Sequence, residues 1–171
     1  LAGLLLMTIF CFQLHAQENI SLNGIWDLRY WAQGDSAITN PKDINYSNTE
    51  QVKATVPGNV ELDLLAAGRI KEPSIGNNIY KLRQYEGYQW FYSKHFITPH
   101  FSSSQKLELC FDGIDCLADI WLNGVKIGST DNMLIGHTFD ISNKVNKQGD
   151  NILQVVLRSA VIEAQNHILG T

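Results

Sequence analysis

The stretch DIWLNGVKIGSTDNM, residues 119–133, decides how this chain is expected to fold. Its centre, Asn123-Gly124, lies between two runs in which apolar and polar residues alternate. Asn-Gly is the strongest short signal for a two-residue β-hairpin, because a type I′ turn needs positive φ at both central residues. The turn predicts a hairpin in which Leu122 pairs with Val125.

The same turn sets the faces of the hairpin, since side chains alternate along a strand. It pairs Trp121 with Lys126, and it predicts a core face formed by Ile120, Leu122, Val125 and Ile127, with Ile120 opposite Ile127. Trp121 then lies on the face that should meet water. We therefore expect a neighbour outside the hairpin to cover this indole.

The composition fits one domain with its own core and gives no sign of a polyanion partner. The chain has 171 residues, is 44% hydrophobic and carries a formal net charge of -4. Acidic and basic residues are interspersed, so no basic face is offered to nucleic acid or to anionic lipid. No membrane span or nucleic-acid partner is expected.

The first sixteen residues, LAGLLLMTIFCFQLHA, have the pattern of an export signal. The run is too short to span a bilayer comfortably and fits a signal-peptide apolar region with cleavage after Ala16. A charged start is missing, so we expect residues 1–16 to be a signal peptide truncated at its beginning. Residues 17–171 would then be the mature part, exported to the periplasm or the cell exterior.

Export permits a disulfide, but the alternation of residues 105–122 argues against one. Cys110 shares its parity with Glu108, on the outer face of the strand. Cys116 shares its parity with Ala118, on the inner face. The sequence therefore predicts no bond between the two cysteines.

Strand patterns dominate after residue 20, and one helix interrupts them. The helix is predicted over residues 59–68, capped by Gly58 or Asn59 and ended by Gly68. The predicted strands occupy residues 21–32, 51–56, 88–98, 105–113, 116–129, 133–142 and 150–160. Many short strands with glycine and asparagine turns predict an all-β fold, a jelly-roll β-sandwich with one short helix.

The strand around Trp90 is apolar on both faces, with Tyr92 beside Trp90 on one and Phe91 on the other. A strand of a sandwich normally has one wet face. We therefore expect Trp90, like Trp121, to lie at an interface with another domain.

No pattern of a complete active site is present. The five histidines are scattered without ligand spacing, so no metal or cofactor is expected. Asp112 and Asp115 flank a turn, where aspartate has backbone reasons to be. The loops GNNIY, residues 76–80, and TDNM, residues 130–133, carry amides that could bind sugar hydroxyls or equally satisfy the backbone of their own turns.

Six blocks in order resemble one known family: LNGIWDL, VPGNVELDLLAAGRI, YQWFYSKHF, LELCFDGIDCLADIWLNGVKIGSTDNM, HTFDIS and NILQVVLRSAV. They are similar to the N-terminal sugar-binding domain of glycoside hydrolase family 2, in the β-mannosidase-like subgroup. The resemblance covers about residues 21–163. It implies a galactose-binding-like jelly roll and a role in hydrolysing β-linked glycans.

The resemblance also implies that this chain is a fragment. In the family an immunoglobulin-like domain and a (β/α)₈ barrel follow, and the barrel carries the two catalytic glutamates, so no catalytic residue is expected here. By resemblance the sugar-binding rim would include Asn77, Asn78, Asp131 and Asn132. Two alternatives stay open: a stand-alone carbohydrate-binding module, or the same family acting on galactose, glucuronic acid or glucosamine.

Overall fold

A computed structural model describes residues 19–102 and 105–169, with the side chains of residues 167–169 left out. The predicted signal peptide, residues 1–16, lies outside the described residues. The strands are β1 Gly24–Ala32, β2 Glu50–Val56, β3 Tyr88–Ile97, β4 Glu108–Phe111, β5 Ala118–Leu122, β6 Val125–Thr130, β7 His137–Asp140 and β8 Asp150–Leu157. The helices are α1 Val60–Ala66 and α2 Ala160–Leu169, with 3₁₀ segments at Pro41–Asp43, Tyr46–Asn48 and Asn78–Tyr85.

The strands form two antiparallel sheets of unequal size. The large sheet has the order β2-β1-β3-β8-β5-β6, and the small sheet consists of β4 and β7. Their apolar faces enclose the main core, whose buried members include Leu109, Ile120, Leu122, Ile141 and Leu153. Burying one such side chain contributes about 1.5–3 kcal/mol. The predicted galactose-binding-like β-sandwich is confirmed.

The predicted helix is confirmed as α1, and both of its ends have the expected caps. Asn59 precedes it, and its Oδ1 accepts the backbone N–H of Leu62 at 2.9 Å. At the other end Gly68 has a φ of 67°. The N–H groups of Gly68 and Arg69 donate to the carbonyls of Leu65 and Leu64, which is the Schellman arrangement.

The hairpin is confirmed at its turn and corrected beyond it. Asn123 and Gly124 have φ values of 52° and 77°, and Leu122 pairs with Val125 as predicted. A register shift between Ile120 and Trp121 then places Ile120 opposite Gly128, so the predicted pairing with Ile127 was wrong. A bulge inserts one extra residue into one strand and moves every later pair by one.

The predicted core face is also wrong for Val125, which is 53% exposed. β6 is the edge strand of the large sheet. The small sheet approaches it at Gly128, where an added Cβ would lie 2.1 Å from the Phe139 ring. The Val125 side chain, at the turn end of β6, is therefore exposed to solvent.

Trp121 is covered by the chain's own connection between β1 and β2. Its indole N–H donates to the carbonyl of Thr39 at 3.0 Å. In the same connection Ile38 exchanges two 2.8 Å hydrogen bonds with the buried amide of Gln89. Trp121 packs there with Ile44. The outward indole thus anchors a long connection to the outer face of the large sheet.

Candidate functional site

A cleft of about 780 Å³ opens on the inner face of the large sheet. One wall is α1 with the residues before it, another is the 3₁₀ segment Asn78–Tyr85, and a third is the turn after β4. The floor comes from four strands of the large sheet and includes Trp26, Val56, Trp90, Tyr92, Val155 and Leu157. The cleft is therefore the largely apolar part of the inner face that the small sheet leaves uncovered.

Aromatic rings at one end of the cleft pack against each other. Tyr85 and Tyr88 meet edge to face with centroids 5.2 Å apart, and the rings of Tyr30 and Trp90 are also 5.2 Å apart. Trp90 is only 9% exposed within this group. On the other face of β3, Phe91 meets the ring of Tyr46 at 6.3 Å.

Both faces of the Trp90 strand are thus covered from within this chain, and so is Trp121. The two-sided apolar pattern needs no neighbouring domain to explain it. The assignment of Trp90 and Trp121 to a domain interface stays a prediction.

Asp63 is a buried acidic residue of α1 that lies outside the lining of the cleft. It is 5% exposed, and its Oδ1 accepts the backbone N–H of Thr55 at 2.9 Å. Its Oδ2 has no hydrogen-bond partner among the described residues. Burial raises the pKa of Asp63, because the charged form loses its hydration. Burial, followed by the charges of Asp63 and Glu61, raises the pKa of Tyr92.

Arg158 closes the end of the cleft where β8 passes into α2. Its Nε lies 3.6 Å from Oδ2 of Asp119, and its guanidinium lies 3.3 Å from Glu163. Asp119 is only 2% exposed and also pairs with Lys126 at 2.5 Å. The positive charge of Arg158 therefore lies between the buried Asp119 and the half-buried Glu163, although its Nε has no hydrogen-bond partner among the described residues.

A second set of hydrogen bonds holds α2 beside the cleft. Gln33 accepts the backbone N–H of Ser159 at 2.8 Å and donates to Glu163 at 2.9 Å. The Ser159 hydroxyl donates to the carbonyl of Glu86 at 2.6 Å and accepts the N–H of Ile162. Ser159 thus caps α2, a helix that the strand prediction for residues 150–160 missed.

The predicted rim residues Asn77 and Asn78 lie beside the cleft and do not line it. Asn78 donates to the carbonyl of Glu72 at 3.0 Å and accepts from Lys81 at 3.4 Å. Asn77 is exposed and its side chain makes no capping hydrogen bond. Of the two amides, Asn78 holds the loop and Asn77 is the one open to a ligand.

The other predicted rim residues, Asp131 and Asn132, occupy an exposed loop between β6 and β7. Asn132 Oδ1 accepts the N–H of Leu134 at 2.9 Å, so it too supports its own turn. The loop lies against the turn after β4, since an added Cβ at Gly113 would be 3.1 Å from the Met133 carbonyl. The structure therefore places the two predicted pairs on separate loops next to the cleft, with no hydrogen bond between the pairs in the described ranges.

The sequence analysis did not identify Asp63 or Arg158, and it did not place Tyr30 and Tyr85 beside Trp90. A usable signal existed for Asp63 alone. In VELDLLA it occupies the position three residues after Val60, on the apolar side of the helix, where a carboxylate is out of place. Nothing local distinguishes Arg158 or Tyr85 from ordinary surface residues.

Across residues 19–102 and 105–169, no group of three or more His, Cys, Asp and Glu side chains is placed to hold a metal ion. No described helix has the length and apolar character needed to cross a bilayer. Cys110 is an exposed free thiol and Cys116 a half-buried one.

The chain is similar to known proteins in both sequence and fold. Residues 38–168 match the family described as "Glycosyl hydrolase 2 galactose-binding domain-like". The chain is 40% identical over 122 residues, 71% of its length, to a β-mannosidase of Mus musculus, and these residues make up 14% of that protein. The chain belongs to glycoside hydrolase family 2, and its described part is the N-terminal galactose-binding-like domain.

Two solved structures show the same domain. A β-D-mannosidase from Dictyoglomus thermophilum superposes with a TM-score of 0.71 at 33% identity, covering 88% of this chain and 17% of that one. A β-glucuronidase from Bifidobacterium dentium gives a TM-score of 0.54 at 25% identity, covering 83% of this chain and 21% of that one. The chain thus spans a small part of the length of each relative, and its likeness is to β-mannosidase-like members of the family.

Proposed function

We propose that this chain is the non-catalytic N-terminal domain of a retaining exo-β-glycosidase that acts on β-mannosides in carbohydrate catabolism. The domain supplies scaffold and part of the sugar-binding rim. An immunoglobulin-like domain and a barrel of the same protein supply the rest, and the barrel carries the acid/base and the nucleophile. In retaining hydrolysis these two carboxyl groups are about 5 Å apart and form a covalent glycosyl-enzyme. Export through residues 1–16 is part of the proposal.

The choice of mannose as the sugar rests on one observation. The likeness to the two β-mannosidases, in sequence and in superposition, exceeds the likeness to the β-glucuronidase. The acidic residues that line the cleft, Glu61, Glu86 and Asp115, come from three separate segments of the chain, and the buried Asp63 lies outside the lining, which fits a supporting role. Retaining hydrolysis needs two carboxyl groups on opposite sides of one anomeric carbon.

The test is an assay of the full-length protein on aryl β-mannoside, β-glucuronide and β-galactoside. We expect kcat/KM on the mannoside to exceed the others by at least about tenfold, a difference of about 1.4 kcal/mol in transition-state binding. Equal or greater activity on the glucuronide would instead support glucuronic acid, the alternative sugar that the weaker likeness to the Bifidobacterium enzyme suggests.

The rim is tested by a matched pair of variants. Asn77→Ala removes the open amide and is expected to weaken kcat/KM by about 1–3 kcal/mol, the cost of leaving a buried hydroxyl without its partner. Asn78→Ala removes the bond to the Glu72 carbonyl and is expected to act through loop stability instead. If both variants keep wild-type kcat/KM on every cleaved glycoside, this loop has no part in binding.

A further inference from the structure

The 3₁₀ segment Asn78–Tyr85 distributes its side chains over three faces. In a 3₁₀-helix the side chains of residues i and i+3 lie one above the other. Asn77 begins the first turn, since its carbonyl accepts the backbone N–H of Tyr80 at 3.2 Å. Residues three positions apart along the segment therefore form a column, and each column has its own surroundings.

Two of the columns make contacts within the domain. Ile79, Leu82 and Tyr85 form the first column and line the cleft, and Leu82 and Tyr85 are half-buried there. In the second column, the Asn78 side chain accepts a hydrogen bond from Lys81 at 3.4 Å. The first column therefore packs on the domain, and the second is bonded along the segment.

The third column, Asn77, Tyr80 and Arg83, is open, and we refer to it as the open column. Tyr80 is 63% exposed, and Asn77 and Arg83 are exposed as well. The guanidinium of Arg83 lies over the Tyr80 ring, 5.8 Å from its centroid. Tyr80 and Arg83 are also among the residues that line the cleft. The open column therefore lies at the mouth of the cleft.

The three side chains of the open column have the chemistry that recognises a sugar. An aromatic ring offers an apolar face to the C–H groups of a pyranose. An amide and a guanidinium supply donors for its hydroxyl groups, and the amide supplies an acceptor as well. The attraction between the guanidinium and the ring also holds the tyrosine in position without burying it.

We propose that the open column binds two consecutive units of a β-linked glycan. The terminal sugar contacts Asn77, and the next sugar, on the other side of the bond that is cleaved, contacts Tyr80 and Arg83. The inference rests on the proposed function, because it takes Asn77 as part of the sugar-binding rim. It makes Tyr80 and Arg83 the residues that favour an oligosaccharide over a simple glycoside.

The spacing along the column supports two sugar positions. Three residues of a 3₁₀-helix rise by about 6 Å, at about 2 Å each, which is close to the length of one pyranose unit in an extended β-linked chain. The side chains of Asn77 and Tyr80 are therefore placed to contact neighbouring units of one glycan.

The exposure of Tyr80 supports the order of the two positions. A retaining enzyme encloses the terminal sugar between two carboxyl groups. A tyrosine that is 63% exposed at the mouth of a cleft contacts one side of a sugar and leaves the other side in solvent. Such a contact fits the second unit, which extends away from the enclosed one.

The test compares two substrates in the full-length protein. Methyl β-mannoside has an aglycone too small to stack on a ring, whereas β-linked mannobiose has a second pyranose at that position. Tyr80→Ala should lower the ratio of kcat/KM on mannobiose to kcat/KM on methyl β-mannoside by at least about fivefold, the size expected for one stacked aromatic contact. The change should appear in KM for mannobiose more than in kcat.

Three further variants separate the contributions to this ratio. Tyr80→Phe keeps the ring and should keep the ratio near that of wild type. Arg83→Ala removes hydrogen-bond donors and should lower the ratio by about threefold to tenfold. Gln84→Ala is the matched control, because Gln84 is an exposed residue of the same segment in a different column. It should leave the ratio unchanged.

Binding of an S-linked mannobiose, which resists hydrolysis, gives a measurement that does not need turnover. Calorimetric titration of the full-length protein should give a lower Kd for this disaccharide than for methyl β-mannoside, and Tyr80→Ala should remove most of the difference. If the glucuronide is the preferred substrate, the same pair is used with glucuronic acid as the terminal sugar. Failure of the inference and failure of the proposed function are therefore separate outcomes.

Each outcome decides the proposal. A ratio that falls in Tyr80→Ala and recovers in Tyr80→Phe supports a second sugar position. An unchanged ratio in Tyr80→Ala overturns the proposal, and so does a fall that Gln84→Ala shares. Equal losses on both substrates, together with a lower melting temperature, also overturn it and assign the open column to contact with another part of the protein.

Discussion

Single side chains in this domain act through partners that are far away in the chain. The hydrogen bond of Trp121 reaches Thr39 across 82 positions, and that of Gln33 reaches Glu163 across 130. The apolar-polar pattern correctly placed Trp121 outward and could not show the connection that covers it. Its contribution is therefore to hold that connection on the sheet.

Replacing Trp121 tests this role. Trp121→Phe removes the hydrogen bond to Thr39 and should lower the free energy of unfolding by about 1 kcal/mol. Trp121→Ala removes the packing as well and should lower it by about 2–3 kcal/mol, which is below the range for a fully buried indole. Urea unfolding measures both. Val125→Ala, on the exposed turn end of the same hairpin, is the control and should stay within about 0.5 kcal/mol. Equal losses for Trp121→Ala and Val125→Ala would mean that the indole anchors nothing.

The buried carboxyl group of Asp63 makes a prediction about pH. Burial raises its pKa in the folded state above the value in the unfolded chain. Between those two pKa values the folded protein binds more protons, so its stability falls as pH rises. Asp63→Asn keeps an oxygen for the Thr55 N–H and removes the charge. The variant should be more stable than wild type at pH about 7, and the difference should shrink toward pH about 4.

Asp140 is the control for Asp63, because its pKa is shifted in the opposite direction. Hydrogen bonds from Ser142 to Asp140 hold the pKa of that exposed carboxyl below its usual range. Its stabilising contribution is present above the unfolded pKa and is lost as pH falls through the folded one. Asp140→Asn should therefore lower stability at neutral pH. A stability gain in Asp140→Asn, or none in Asp63→Asn, would contradict the assignment.

At the scale of secondary-structure elements, the two sheets meet most closely where β7 crosses β6. The Phe139 ring occupies the space that a Cβ at Gly128 would need, with 2.1 Å to its nearest atom. Nothing in VKIGST marks this glycine, because its partner belongs to another sheet. The glycine is required by that crossing.

Gly128→Ala is therefore expected to destabilise the domain by about 1–3 kcal/mol through overpacking. Adding Phe139→Leu should recover part of the loss, since it frees space at the same point. Gly34→Ala is the matched control, because an added Cβ there meets nothing within 4 Å. Thermal unfolding of wild type, Gly128→Ala, Phe139→Leu, the double variant and Gly34→Ala measures the coupling, and additive losses would show that the two residues do not meet.

At the scale of the whole molecule, the apolar surface left open is not where the sequence suggested. Trp121 is covered, whereas Met133, Leu134 and Ile135 are 50%, 83% and 52% exposed on one loop. Three adjacent exposed apolar side chains form a patch that favours association. This loop also carries the predicted rim residue Asn132.

Leu134→Gln should accordingly raise the soluble yield of residues 17–171 and leave the melting temperature within about 2 °C of wild type. Trp121→Gln is the comparison, and it should lower the melting temperature because it removes the anchor of the connection. If Trp121→Gln improves the solubility and Leu134→Gln does not, the apolar surface that causes association lies on the outer face of the large sheet and not on this loop.

The sequence alone determined the features that depend on near neighbours. The Asn123-Gly124 turn, the caps of α1 and the alternation of the strands all arise between residues a few positions apart, and six ordered blocks of such features were enough to indicate the family. The bulge beside Trp121, the covering of both faces of β3, the cleft and the burial of Asp63 were decided only by the tertiary structure. Each of these depends on contacts between segments tens of residues apart, whose energies no local pattern encodes.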